Sequence, residues 1–180
     1  AVDGNVIHTK DFTWNLSANF SYNKNKLLEL YNGVEEYVNS TTGLKYVVGH
    51  SVHEYFMNRY AGVNPANGDA LWYTADGELT TEFREEDKVM TGKTFDSPWA
   101  GFGTTLMWKG LSLSAQFSWM AKRYVMNNDR FFEESNGLYS AYNQSRRLLY
   151  DRWKKPGDIT DIPRYDVVAR LDDRFLENTS

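Results

Sequence analysis

The stretch Asp96–Tyr124, DSPWAGFGTTLMWKGLSLSAQFSWMAKRY, decides how the rest of the chain is read. In its second half Leu111, Leu113, Ala115, Phe117 and Trp119 take one parity, and Ser112, Ser114, Gln116 and Ser118 take the other. Unbroken period-two alternation makes a strand with one apolar and one polar face. The first half follows the same plan. Ala100, Phe102, Leu106 and Trp108 share a face with Thr104, while Gly101, Gly103, Thr105 and Met107 lie opposite. Only Lys109 and Gly110 separate the halves, and a two-residue connection ending in Gly suits a primed hairpin turn with positive φ. That turn opposes Trp108 to Leu111, so both apolar sets fall on one face. The expectation is a hairpin of strands at about 100–108 and 111–121.

The side chains on the two faces are unusual. The apolar face is aromatic at its ends and aliphatic in its middle, and the polar face carries no charge until Lys122. A soluble sheet usually shows Lys and Glu to water, whereas a neutral face opposite an aromatic-tipped one is the pattern of a membrane β-barrel strand. Half-buried soluble strands also alternate, so the hairpin alone leaves both open. A second strand at about 12–23 weighs on the choice. In FTWNLSANFSY, Phe12, Trp14, Leu16, Ala18, Phe20 and Tyr22 form one face, and Thr13, Asn15, Ser17, Asn19 and Ser21 the other. Its length matches the roughly 9–11 residues of a tilted membrane-crossing strand. Its aromatics again sit at both ends, as two interfacial belts require and a soluble core does not.

Composition neither exposes nor excludes such a barrel: 41% of residues are apolar and 24% charged. A barrel's polar lumen dilutes the hydrophobic signal, and the 16% aromatic content suits belts or a sugar-binding sheet equally. The net charge of −4 with dispersed basic residues points away from nucleic acid. The absence of Cys excludes disulfides and thiolate metal sites. No apolar run is long enough for a transmembrane helix, and the start AVDGNVIHTKDF has no signal-peptide pattern. The abrupt ends suggest a fragment of a longer chain.

Between and after the strands lie two long segments, about 24–98 and 123–164, rich in turns and charge. Residues 27–44 are expected to be loop with a short irregular strand, and Lys45–Tyr60 a poorly alternating strand. Small hairpins are expected at Trp72-Tyr73 and Glu78–Phe83, and a helix in LYSAYNQSRRLLYDRW with Leu138, Tyr142, Leu149 and Trp153 on it. Asn5–Lys10 is expected to end a strand at a short turn, Lys10-Asp11. If that turn and Lys109-Gly110 are both periplasmic, residues 24–100 hold an even number of further crossings, including none. Both long segments then fall outside, where barrels carry their long loops.

These residues resemble the SusC/RagA-type TonB-dependent outer-membrane transporters of Bacteroidetes. The similarity is carried in order by TKDFTWNLSANFSYNKNKLLEL, VGHSVHEYFMNRYAGVNPANGDALWY, SPWAGFGTTLMWKGLSLSAQFSW, DRWKKPGDITDIPRY and DDRFLENTS. One departure is Trp108-Lys109-Gly110, where the family usually has Tyr-Lys-Gly. The resemblance implies an all-β fold: a segment of an antiparallel transmembrane barrel of about 22 strands, with long extracellular loops. It implies import of glycans or peptides with a SusD-like lid lipoprotein and energy from TonB, in the cell outer membrane. The family's plug domain and TonB box have no counterpart in these motifs. On this reading Phe12, Trp14, Leu16, Ala18, Phe20, Tyr22, Phe102, Leu106, Trp108, Leu111, Leu113, Ala115, Phe117 and Trp119 face lipid, and Lys109-Gly110 is a periplasmic turn. The alternative is a soluble secreted β-sandwich that binds carbohydrate.

Other constellations carry less. His50-Ser-Val-His53-Glu54 invites a metal, but on a strand positions three apart face opposite ways. Asn64–Asp69 and Asp76-Gly77 lack the ligand alternation of a calcium loop and read as turns. Asp158 and Asp161 form a spaced carboxylate pair, but loop capping with an ion pair to Arg164 accounts for them better than glycosidase chemistry. Asn15-Leu-Ser17 and Asn19-Phe-Ser21 match a glycosylation pattern only because Asn and Ser fill one strand face. Trp72, Tyr73, Trp99, Tyr139 and Tyr142 are candidates for stacking on sugars. No catalytic motif, metal site or cofactor site is expected.

Overall fold

The computed structural model describes residues 1–38, 45–94 and 96–180. Among them the chain runs through β1 (Val2–His8), β2 (Phe12–Ser21), β3 (Glu36–Val38), β4 (Lys45–Val47), β5 (Glu54–Met57), β6 (Arg59–Val63) and β7 (Ala70–Tyr73). It continues with β8 (Leu79–Thr80), β9 (Val89–Thr94), β10 (Trp99–Trp108), β11 (Leu111–Met120), β12 (Tyr124–Met126), α1 (Asn128–Glu133), α2 (Arg147–Tyr150) and β13 (Leu176–Asn178).

The four long strands form one antiparallel sheet in the order β1-β2-β10-β11. Its hairpin register is the expected one, with Trp108 opposite Leu111, Leu106 opposite Leu113, and Phe102 opposite Phe117. Lys109 (φ 44°) and Gly110 (φ 86°) both adopt the left-handed conformation that a tight primed turn demands. On its other edge β10 pairs with β2, placing Trp108 opposite Phe12, Leu106 opposite Trp14 and Thr104 opposite Leu16. No strand therefore intervenes in this sheet between β2 and β10, the zero case of the even number that parity allows. β1 starts earlier than the sequence suggests and carries a bulge between Asn5 and Ile7 against Asn15 and Trp14.

The two short turns lie side by side, since the Lys109 amide donates to the Asp11 carbonyl at 3.1 Å. At the opposite end, Ser21, Trp99 and Met120 align where the long segments leave the sheet. Those segments, together with residues 165–180, fold upon one another through the small sheets β6-β7-β8, β5-β9, β12-β13 and β3-β4. They also hold the core. Met57, Trp72, Phe131, Leu148 and Phe175 are buried there, while the long strands bury no large apolar side chain. A β-sandwich would cover the apolar face of the sheet with a second layer. Here Leu111, Leu113 and Phe117 remain 69%, 66% and 61% exposed, and the sandwich alternative fails on that ground.

Local expectations for the long segments are corrected in two places. Lys45–Tyr60 is not one strand but β4, a turn, β5 and the start of β6. The stretch LYSAYNQSRRLLYDRW is helical only over Arg147–Tyr150, and the longer helix is α1, capped by Asn127, whose side chain accepts from the Arg130 amide at 2.9 Å. The Trp72-Tyr73 hairpin is present as β7-β8. In the segment read as loop at 27–44, β3 is the short strand, and residues 39–44 lie outside those described.

The Asn64–Asp69 turn joins the two long segments. Gly68 has φ +78°, and a Cβ built on it would stand 2.5 Å from the Trp153 ring. The Trp153 indole N–H donates to the Pro65 carbonyl at 3.1 Å, and Arg164 Nε reaches Asp69 Oδ1 at 3.0 Å. Gly68→Ala is expected to cost more than about 1 kcal/mol, because backbone strain and overlap with Trp153 add. Thermal unfolding and limited proteolysis of this region are the measurements that check it.

Candidate functional site

The candidate site is the two-faced sheet and the assembly at its end. Register puts thirteen of the fourteen predicted apolar positions on one face, from Phe12 to Phe20 in β2, Phe102 to Trp108 in β10 and Leu111 to Trp119 in β11. Tyr22, the fourteenth, lies one residue beyond β2 and is 63% exposed. β1 extends the face with Val2, Gly4 and Ile7, opposite Ala18, Leu16 and Trp14. Contiguous exposed apolar surface of this size marks an interface with something apolar.

Thr104 is the polar exception on this face, and it has a partner. The Trp14 indole N–H donates to the Thr104 hydroxyl at 3.0 Å. In hydrocarbon no water would take that proton, so the pair satisfies itself within the sheet. Thr104→Val is expected to destabilise by about 1–3 kcal/mol by stranding the indole N–H. Adding Trp14→Phe to the Thr104→Val variant should recover most of the loss, a double-mutant cycle read by unfolding in lipid.

The polar face is close-packed around two glycines. A side chain at Gly103 would collide with the Ser17 hydroxyl, and one at Gly101 would meet the Asn19 amide at 2.8 Å. Thr105 and Ser114 share a hydrogen bond at 3.1 Å, and Thr13 contacts His8 Nδ1 at 3.2 Å. Between them lies a hollow of about 160 Å³ lined by Asp3, Asn15, Ser17, Gly103 and Gln116. Asp3 carries little sequence signal because β1 has weak alternation and a bulge. It brings one carboxylate to a face whose polar groups are mostly hydroxyls and amides.

The polar candidates of the long segments are structural. His50 and His53 sit in a turn before β5, not on a strand, so strand parity is not what separates them. Each has its own carboxylate instead. His50 Nδ1 lies 2.8 Å from Glu54, and His53 Nδ1 2.7 Å from Asp96, which also accepts from Ser51 at 2.7 Å. Burial pushes the Asp96 carboxyl up, but these hydrogen bonds outweigh it and hold it below its ordinary value. No metal-binding cluster occurs among the described residues. Asp158 caps the Lys154 and Lys155 amides, each at 3.0 Å, as expected. Asp161 instead takes a two-pronged contact from Arg147 at 2.8 Å, whereas Arg164 bonds Asp69. Burial works against ionisation of Asp161, and the Arg147 guanidinium overrides it to keep the carboxyl low.

Of the aromatics considered for sugar stacking, Trp72 is 4% exposed and packed edge-on against Tyr60 and Phe83. Tyr139 and Tyr142 belong to a cluster with Phe131 and Phe132. Tyr142 at 60%, Trp99 at 47% and Tyr73 at 36% keep exposed rings.

An antiparallel sheet with one uncovered apolar face, short turns at one end and elaborate segments at the other is a piece of a membrane-spanning β-barrel. Comparison with known proteins narrows the class. No family model matches. The TonB-dependent receptor P3 of Formosa agariphila is 23% identical over 203 residues, spanning 100% of this chain and 20% of that protein. The solved RagAB peptide transporter matches with a TM-score of 0.87 at 30% identity, over 98% of this chain and 20% of that one. The RagAB peptide importer in its open-open state gives 0.86 at the same identity and coverage. The chain is thus similar to a stretch of the outer-membrane barrel of these TonB-dependent and RagAB transporters. It spans about a fifth of the length of the relatives it matches.

Proposed function

We propose that this chain supplies lipid-facing strands and an extracellular loop assembly to a transporter that imports glycans or peptides through the outer membrane. The observation that carries this is the register, which gathers Phe12, Trp14, Leu16, Ala18, Phe20, Phe102, Leu106, Trp108, Leu111, Leu113, Ala115, Phe117 and Trp119 on one uncovered face. On this reading these residues and Tyr22 contact outer-membrane lipid, and Lys109-Gly110 is a periplasmic turn. The hydroxyls and amides of the other face line the lumen, where neutral hydrogen bonds let polar cargo pass without trapping it. The likeness to a peptide importer favours peptides over glycans. A SusD-like surface lipoprotein is the proposed lid on the long segments, and TonB the proposed source of energy, acting elsewhere on the parent. The role is transport, with no catalytic step.

The test is extraction of the parent protein from its native membranes. A detergent-dependent species several-fold larger than 20.9 kDa, recovered with a lipoprotein partner, is the expected result. A monodisperse 20.9 kDa protein in plain buffer would overturn the proposal. Competition for uptake between mixed peptides and oligosaccharides then decides the cargo.

A further inference from the structure

Resting on that barrel reading, we propose that the short-turn end of the apolar face is a binding site for the headgroup of an anionic phospholipid, held by Lys109 and Lys10. Four observations converge there. Phe12, Trp108 and Leu111 form one row across three strands, and Trp108 and Leu111 are 54% and 69% exposed. The row ends the apolar face, where acyl chains give way to headgroups. The Lys109 ammonium lies 5.6 Å from the centre of the Trp108 ring, so its side chain bends back over the apolar face instead of pointing away along the turn.

The second turn brings a second cation. Lys10 lies beside Asp11, whose carbonyl accepts from the Lys109 amide. The ion-paired lysines among the described residues are Lys45, Lys88 and Lys93, so Lys10 and Lys109 are both left for an outside anion. Asp11 is the one carboxylate in the two turns, and the balance of the three side chains is one positive charge.

The backbone supplies the fourth observation. Lys109 sits at φ 44°, a conformation in which Asn, Asp or Gly is the favoured residue. Among the described residues its ammonium has no hydrogen-bond acceptor that would account for a lysine there. A residue at a conformational disadvantage in a two-residue turn points to a role for its ammonium group. A lipid phosphate fits it: the acyl chains lie along Phe12, Trp108 and Leu111, and the phosphate meets two ammonium groups.

The experiment uses the full-length parent reconstituted in nanodiscs, with a tenfold excess of neutral phosphatidylcholine over phosphatidylglycerol. Native mass spectrometry reads which lipids stay bound. Enrichment of phosphatidylglycerol is expected, falling about fivefold for each of Lys10→Gln and Lys109→Gln, the effect of one cation near an anionic membrane surface. Lys109→Arg should retain the enrichment. Lys109→Asn is the decisive variant, because it relieves the turn while removing the charge. It should unfold no more readily than the wild type and yet lose the lipid preference. Equal retention of both lipids by the wild type, or an unchanged preference in Lys109→Asn, overturns the proposal. Displacement of the bound lipid by inorganic phosphate would reassign the site to free anions and overturn it too. A parent that never enters nanodiscs would instead overturn the barrel reading on which it rests.

Discussion

Arginine in place of Leu16 is expected to destabilise the parent barrel in lipid by about 2–4 kcal/mol, the cost of a cationic side chain near the bilayer midplane. Leu16 is the fifth residue of the ten in β2, paired with Gly4 on one side and Thr104 on the other. Thr104 in turn pairs with Ala115. The row therefore holds only small neighbours and no carboxylate, and an arginine there has nothing to neutralise it. Asp3, the nearest acid in β1, pairs with Ser17 and belongs to the opposite face. The control is Ser114→Arg, whose site faces Thr105 across the polar surface. Equilibrium unfolding from vesicles in guanidinium should separate the two by at least about 1.4 kcal/mol, a tenfold difference in population. Equal costs on the two faces would reject lipid exposure of the apolar one. Ser17→Leu adds a different failure: the Ser17 hydroxyl fills the space over Gly103, and a larger side chain there overpacks at a typical cost of about 1–3 kcal/mol.

The strands bearing that prediction are legible in the sequence because each is specified twice. In β10 and β11 alternation defines the faces, and the Lys109-Gly110 turn independently defines the register. β2 alternates over its whole length, so its pairing with β10 follows once both apolar sets have to share a face. β1 has neither support. Asp3, Gly4 and Asn5 are poor strand formers, and the bulge near Val6 shifts parity midway, so only its tail is readable. The long segments are less legible for a different reason. Their short elements are fixed by contacts between distant residues. Asn136 donates to the carbonyls of Arg164 and Val167, and the Ala169 amide donates to the Ser135 carbonyl. No local periodicity encodes such bonds. The same holds for Asp161, where Arg164 is the sequence neighbour and Arg147 the spatial one. The cap of α1 does leave a local signal, Asn127 before Asn-Asp-Arg-Phe-Phe, but without an acidic residue at the third helical position it is easily passed over. The buried Trp72–Asp172 bond leaves none, because a hundred residues separate its partners.

Alanine at Asp172 is expected to cost about 3–5 kcal/mol in the stability of the loop assembly, the loss incurred when one member of a buried ion pair is removed. Asp172 is fully buried. Its Oδ2 accepts from the Trp72 indole at 2.8 Å, and its Oδ1 faces Arg174 Nε at 3.2 Å. Arg174 cannot escape to water, since its guanidinium lies 4.3 Å from the Tyr60 ring and 4.7 Å from that of Phe175. The neighbouring Asp173 accepts from the Tyr60 amide and from Lys93, both at 2.8 Å, so the two acids tie the last segment to β6, β7 and β9. Burial pushes the Asp172 carboxyl up to about 6, against the pull of Arg174 and the Trp72 N–H. Between about pH 4 and 6 the folded state therefore holds a proton that the unfolded chain, with an ordinary aspartate near 4, has released, and above that range Asp172 is ionised and paired with Arg174. The sign follows from linkage: this group's contribution is fully present below about pH 4 and is lost as the pH rises to about 6, amounting to about 3 kcal/mol. Hydrogen exchange of the peptides around Trp72 and Phe175 in the parent should accordingly show more protection at pH 5 than at pH 7.5, after correction for the intrinsic rate. Asp172→Asn keeps an acceptor for Trp72 and removes the titration, so its protection should be flat across that interval. A slope that persists in Asp172→Asn would assign the pH response to other groups and overturn the role given to Asp172. Geometry argues for Asp172, which is fully buried and joined through Trp72 and Arg174 to the interior of the assembly.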